Sequence, residues 1–184
     1  MRYLLAIASV LSIAAWAAPA ADPALLLHYA FDEGIGATTQ DLSGNGLDGD
    51  VSAQWIDSPS GKAVFLDGTG ATIVRLILPE EKRFGRGSWS LSTWLKPTQL
   101  TIEDRQNQRR VFAFGVYPDA YLVVDLMGNG ALSCYFCHKN EAGNVVSTGA
   151  SSALHLALDQ WAHVAVVCDR DTSRIWLYVN GYCS

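Results

Sequence analysis

Asp41, Ser43 and Asn45 place oxygen-bearing side chains at alternate positions, and Gly46 follows where a chain must turn sharply. That is the first half of a calcium-binding loop, in which carboxylate, hydroxyl and amide oxygens gather around a hard cation. The second half departs from the pattern, because the twelfth position is Ser52 instead of a bidentate Glu. Asp32, Asp48, Asp50 or backbone carbonyls are then the groups left to complete a shell. The plainer reading of the same residues is an Asx-type turn whose side chains cap their own backbone. Gly44-x-Gly46-x-x-Gly49 overlays this loop and matches a dinucleotide fingerprint. Asp50-Val-Ser-Ala53 does not open the amphipathic helix that such a site needs, so nucleotide binding is set aside.

Trp55, Tyr117 and Tyr121 lie in or beside segments that read as loops, where aromatic faces stack on sugar rings; packing beneath those loops is their plainer role. Trp89, Trp94, Trp161 and Trp176 fall within strand-like runs and are expected in the core. The four cysteines are Cys134, Cys137, Cys168 and Cys183. Cys134-Tyr-Phe-Cys137-His138 matches a haem-attachment pattern, but it sits inside an alternating run between two turn signals. Disulfides or core thiols suit that setting better. Residues three apart on a strand point to opposite faces, so Cys134 and Cys137 are poor partners for each other. Pairing across strands with Cys168 or Cys183 is easier, and three full pairings stay open.

No set of residues has the look of an active site. His28, His138, His155 and His163 lack metal-type spacing, and His163 is read as a core or subsurface residue. A glycosidase needs two carboxylates at fixed separation across the scissile bond. Glu80-Glu81 and Glu103-Asp104 are adjacent pairs in loop-like segments and do not supply such a spaced pair. Gly149-Ala-Ser-Ser-Ala153 is only a partial nucleophile elbow. Arg105-Gln-Asn-Gln-Arg-Arg110 reads as a solvated polar loop.

The elements that must position these residues are short strands broken by Gly, Asn, Asp and Pro. Leu25 to Phe31 alternates, with Leu25, Leu27, Tyr29 and Phe31 on one face. Further strands are expected at 63–66, 71–77, 88–96, 110–115, 121–126, 131–138, 160–169 and 174–180. Arg170-Asp-Thr-Ser173 reads as the turn of a hairpin between the last two. Ala153 to Leu158 is long enough for no more than a helical turn. Many short strands at this spacing predict an all-β domain, a two-sheet antiparallel sandwich.

The 184 residues suit one domain, and 49% hydrophobic against 17% charged residues supplies a core. A formal charge of −5 disfavours nucleic acid and anionic lipid as partners. Arg2, the apolar run from Tyr3 to Ala17 and the small-x-small site Ala18-Pro19-Ala20 read as a signal peptide over residues 1–20. The mature chain is then 21–184, secreted or at the cell surface, with no membrane span after cleavage.

Four stretches, in order, resemble the laminin G-like branch of the concanavalin A-like lectin/glucanase superfamily. They are His28-Tyr-Ala-Phe-Asp-Glu-Gly34 with Asp41-Leu-Ser-Gly-Asn-Gly46, Val64-Phe-Leu-Asp-Gly68, Trp89-Ser-Leu-Ser-Thr-Trp-Leu-Lys-Pro97, and Gln160-Trp-Ala-His-Val-Ala165 with Leu177-Tyr-Val-Asn-Gly181. The resemblance implies a jelly-roll sandwich that binds glycans or extracellular proteins, with a structural calcium near the Asp41 loop; the missing carboxylate pair makes it a non-catalytic module. In the family, more strands follow the Tyr-Val-Asn-Gly segment, so a chain ending at Ser184 is expected to lack its last strands and to associate through an open edge.

Overall fold

The structure is a computed structural model that describes residues 22–69, 71–79, 87–100 and 109–184. The signal-peptide reading, the Glu80-Glu81 and Glu103-Asp104 pairs and most of the Arg105–Arg110 segment lie outside the described residues.

The first half of the chain forms β1 (Thr38–Thr39), β2 (Gly49–Ser52), β3 (Gln54–Ser58), β4 (Gly61–Phe65), β5 (Ile73–Arg75) and β6 (Trp89–Leu95). The second half forms β7 (Arg109–Val116), β8 (Ala120–Leu126), β9 (Ala131–Lys139), β10 (Val145–His155), β11 (Ala162–Asp169), β12 (Arg174–Val179) and β13 (Tyr182–Cys183). Two four-stranded antiparallel sheets dominate, ordered β10-β9-β8-β7 and β13-β12-β11-β6. A three-stranded sheet, β1-β2-β5, and the β3–β4 hairpin accompany them. This is the all-β sandwich that the alternation predicts.

Alternation explains the core. Leu122, Val124 and Leu126 of β8 and Leu132 and Cys134 of β9 face Val164, Val166, Leu177 and Val179 of β11 and β12. Two contiguous apolar clusters result, with Trp89, Leu91, Phe112, Phe114, Phe136 and Ile175 packed around one of them. Each fully buried aliphatic side chain contributes about 1.5–3 kcal/mol relative to exposure. Turn residues close the hairpins: Ser173 sits at φ 54° between β11 and β12, where the hairpin was expected.

Two expectations are corrected. Leu25–Phe31 forms no continuous strand; within it only Tyr29 makes a bridge, to Asp41. Side chains of the following loop take the backbone groups that a ladder would use. Asn45 Nδ2 donates to the Leu25 and Leu26 carbonyls at 2.9 and 3.1 Å, and the His28 N–H goes to Asp41 Oδ1 at 3.1 Å.

The second correction is β10, the 11-residue strand where only a helical turn near Ala153–Leu158 was expected. Its Ser, Thr, Gly and Ala residues carry little strand propensity, and its side chains are mostly exposed. Backbone pairing to β9 makes it an edge strand. The register shifts between Ser151 and His155. Ser152 repairs the ladder there: its buried hydroxyl accepts the Leu132 N–H at 2.9 Å and donates to the Leu154 carbonyl at 2.6 Å.

Candidate functional site

The Asp41 loop folds around one carboxylate. Asp41 Oδ1 accepts the N–H groups of His28 and Ser43, while Oδ2 accepts the Ser43 hydroxyl and the Leu47 N–H, at 2.8–3.1 Å. Burial works against the charge, but these donors outweigh it and hold the carboxyl down at a pKa of about 2. Nearby, Tyr29 donates to the Leu47 carbonyl at 2.6 Å. Burial first, and then the charges of Asp41, Asp48 and Asp50, push this phenol up to about 12.

Four donors occupy the roughly four lone-pair sites of the Asp41 carboxylate. A cation at this loop must therefore displace a donor or bind through Asp48, Asp50 and carbonyls, with Asp41 as the staple. Asn45 Nδ2 also donates to Ser43 Oγ at 3.1 Å. Asp32 lies elsewhere, against the β3–β4 turn, where a Cβ on Gly61 would come within 2.7 Å of its Oδ1. Among the described residues no group of three or more His, Cys, Asp or Glu side chains is placed to hold a metal.

A second constellation lies on the β7–β10 sheet, on the face turned away from the core. Because Leu122, Val124 and Leu126 point inward, Tyr121, Val123 and Asp125 of β8 point outward. Tyr135 of β9 stands opposite Val123, and Arg110 of β7 stands opposite Asp125. Asp125 is only 2% exposed and accepts a bond from Arg110 Nε at 3.2 Å. Arg110 Nη1 donates to the Tyr121 hydroxyl, and its guanidinium lies 5.5 Å from the centre of that ring. Burial disfavours the Arg110 charge, yet the Asp125 bond and charge raise its pKa overall. Burial and then Asp125 also raise the Tyr135 phenol, partly offset by Arg110.

Tyr117, 64% exposed, extends the cluster from the β7–β8 turn and meets Tyr121 edge to face at 6.0 Å. Small residues flank the rings: Gly115 stands opposite Tyr121, and Gly149 of β10 opposite Tyr135. The result is a sheet face on which a buried carboxylate fixes a guanidinium over the Tyr121 ring, with Tyr117 exposed beside that ring. Arg110, Asp125 and Tyr135 were not singled out from the sequence. The available signal was strand parity, since Tyr121 and Asp125 differ by four positions and share a face.

The structure brings Tyr117 and Tyr121 together and leaves Trp55 apart. Trp55 belongs to β3, not to a loop, and its indole N–H donates to the Gly36 carbonyl at 2.8 Å. It is half-buried and pins the 34–37 turn to the hairpin. Trp94 is not a core residue: it is 61% exposed and lies edge to face against His163 at 5.4 Å. Trp89 and Trp94 are five apart on β6, so only the first packs against the core.

In this structure no disulfide joins the four cysteines. Cys134 points into the core and Cys137 to the opposite side of β9, so the two sulfurs do not share a face on which one haem could be attached. Burial, together with the proximity of Cys168, pushes the Cys134 thiol up to about 11.

Comparison with known proteins adds one finding. The laminin G-type family model of the concanavalin A-like lectin/glucanases superfamily matches residues 67–182, well over half of the chain and all of β5 to β12. No curated protein and no solved structure matches it. Domains of this type are typically extracellular, non-catalytic modules that bind glycans or proteins. The family match and the two-sheet antiparallel architecture agree, and the chain belongs to the concanavalin A-like lectin/glucanases superfamily.

Proposed function

We propose that this protein is an exported, non-catalytic recognition module that binds carbohydrate on the outer face of the β7–β10 sheet. The observation that carries the reading is the Arg110–Asp125 pair bonded to Tyr121, whose ring in turn meets the exposed Tyr117. Tyrosine faces supply apolar area for the flat side of a sugar ring, and their hydroxyls supply polar contacts at its edge. A glycan array on the refolded chain, followed by calorimetry, tests it. Tyr117→Ala and Tyr121→Ala are expected to weaken binding about tenfold each, a loss near 1.4 kcal/mol per ring, with the melting temperature unchanged in the exposed Tyr117 variant and lowered in the Tyr121 variant, which also loses its contacts to Arg110. Unchanged affinity in both variants refutes the site.

A structural calcium at the Asp41 loop is part of this reading, suggested by the oxygen-rich sequence and by the resemblance of the 28–46 stretch. An ion bound only by the native state raises the melting temperature by mass action. Excess calcium is expected to do so in the wild type and not in an Asp48→Ala, Asp50→Ala double variant. A runner-up partner is an extracellular protein docking on the other sheet. There Trp94, beside His163, projects an exposed aromatic surface.

A further inference from the structure

We infer that Cys134 and Cys168 are the one pair of cysteines the fold places to close a disulfide, and that this bond crosses the core and ties the two sheets together. The argument rests on which face each thiol occupies. On β9, Cys134 is 0% exposed and belongs to the core cluster of Leu122, Val124, Val166 and Leu177. On β11, Ala162, Val164 and Val166 are buried core residues, and Cys168 continues the same parity, so it points into the same space. Its cross-strand neighbours are Trp89 on one side and Ile175 on the other. Both pack against the cluster that contains Cys134.

The remaining thiols are excluded by the same geometry. Cys137 lies on the outer side of β9, across the strand from Ser147. Cys183 is exposed on β13 and stands opposite Tyr178, which is opposite Ala165, on the outward face of the other sheet. Cys137 and Cys183 therefore sit on two outward faces with both sheets between them. Cys168 and Cys183 belong to opposite faces of one sheet. Only Cys134 and Cys168 face the core from opposite sheets, an arrangement by which packed sheets of a sandwich are bridged elsewhere.

The chemistry is thiol–disulfide exchange with a small oxidised disulfide. The Cys168 thiolate, the more accessible of the two, attacks a sulfur of oxidised glutathione and releases one glutathione thiolate. The Cys134 thiolate then attacks the Cys168 sulfur of the mixed disulfide and releases the second. Two protein thiols lose two electrons and two protons, and one glutathione disulfide is reduced to two thiols. Its burial makes the Cys134 thiolate scarce in the native state. Closure is therefore fast during folding and slow afterwards.

Although the inference accords with export to an oxidising compartment, it can be tested without it. The chain is refolded in a glutathione redox buffer, alkylated under denaturing conditions and peptide-mapped, with thiols counted in parallel. Two residual thiols, at Cys137 and Cys183, and a Cys134–Cys168 linked peptide are expected. A Cys137→Ser, Cys183→Ser double variant should form the same bond and show no residual thiol. Reduction should lower the melting temperature of both by about 6–12 °C and leave a Cys168→Ala variant unaffected. Four free thiols after oxidative refolding, or linked peptides joining any other pair, overturn the inference. Secretion is tested separately, by the mass of exported protein, so failure of one reading does not touch the other.

Discussion

At Asp41, one carboxylate replaces a ladder: four donors from three residues converge on two oxygens. The folded-state pKa of about 2 lies below the ordinary 3.8. Such a group stabilises the fold fully above about pH 4, and the stabilisation is lost as pH falls toward about 2. The difference corresponds to about 2–3 kcal/mol. Asp41→Ala leaves buried N–H groups without acceptors and is expected to cost about 2–4 kcal/mol at neutral pH in urea titration. It should also flatten the acid limb of stability between about pH 4 and pH 2. An acid limb unchanged from wild type would assign the loss at low pH to other carboxylates. At Tyr121 the prediction is finer. Tyr121→Phe keeps the ring but removes the acceptor for Arg110, and it should retain most glycan stacking while weakening selectivity among hydroxyl epimers.

Among the elements, β10 and the Gly130 turn show how backbone demands decide positions that side-chain pattern does not. Gly130 adopts φ +87°, and a Cβ there would come within 2.5 Å of the Leu156 carbonyl oxygen. Its own carbonyl accepts the Leu156 N–H at 2.8 Å, so the β8–β9 turn is locked against the chain leaving β10. Gly130→Ala combines a strained φ with a backbone clash, and is expected to destabilise by about 2–3 kcal/mol in thermal or denaturant unfolding. Ser152→Ala removes the acceptor of a buried N–H at the β10 irregularity and should cost about 1–3 kcal/mol. Hydrogen exchange provides the local check: protection of the Leu132 amide should fall more than that of Val123, whose place in the ladder is untouched.

For the molecule as a whole, the two sheets share one core and should unfold together. Leu177 of β12 is 1% exposed and packs with Leu122, Val124 and Cys134 of the opposite sheet. Leu177→Ala is expected to cost about 2–5 kcal/mol, with tryptophan fluorescence and far-ultraviolet dichroism still coincident. Separate transitions would show that the sheets fold independently. The C-terminal residues join the sheets at one end, where the Ser184 hydroxyl accepts N–H groups from Ala153 and Leu154 of β10. Among the described residues β6, β7, β10 and β13 each have one hydrogen-bonded neighbour within the two large sheets, so these four are the edges open to pairing.

Local pattern was enough for eight of the strands, because period-two alternation and β-branched residues act within a few positions of themselves. It was also enough for the ordered family resemblance and for the opposed faces of Cys134 and Cys137. Tertiary structure decided what depends on which chains lie side by side. Leu25–Phe31 alternates like a strand, but its acceptors are claimed by Asn45, which sequence alone could not foresee. Val145–His155 lacks strand character, and pairing with β9 imposes it. Trp94 reads as core by composition, yet parity on β6 and the side on which β11 packs turn it to solvent. Arg110, Asp125 and Tyr135 come from three different strands, and only the register between those strands makes them neighbours of Tyr121.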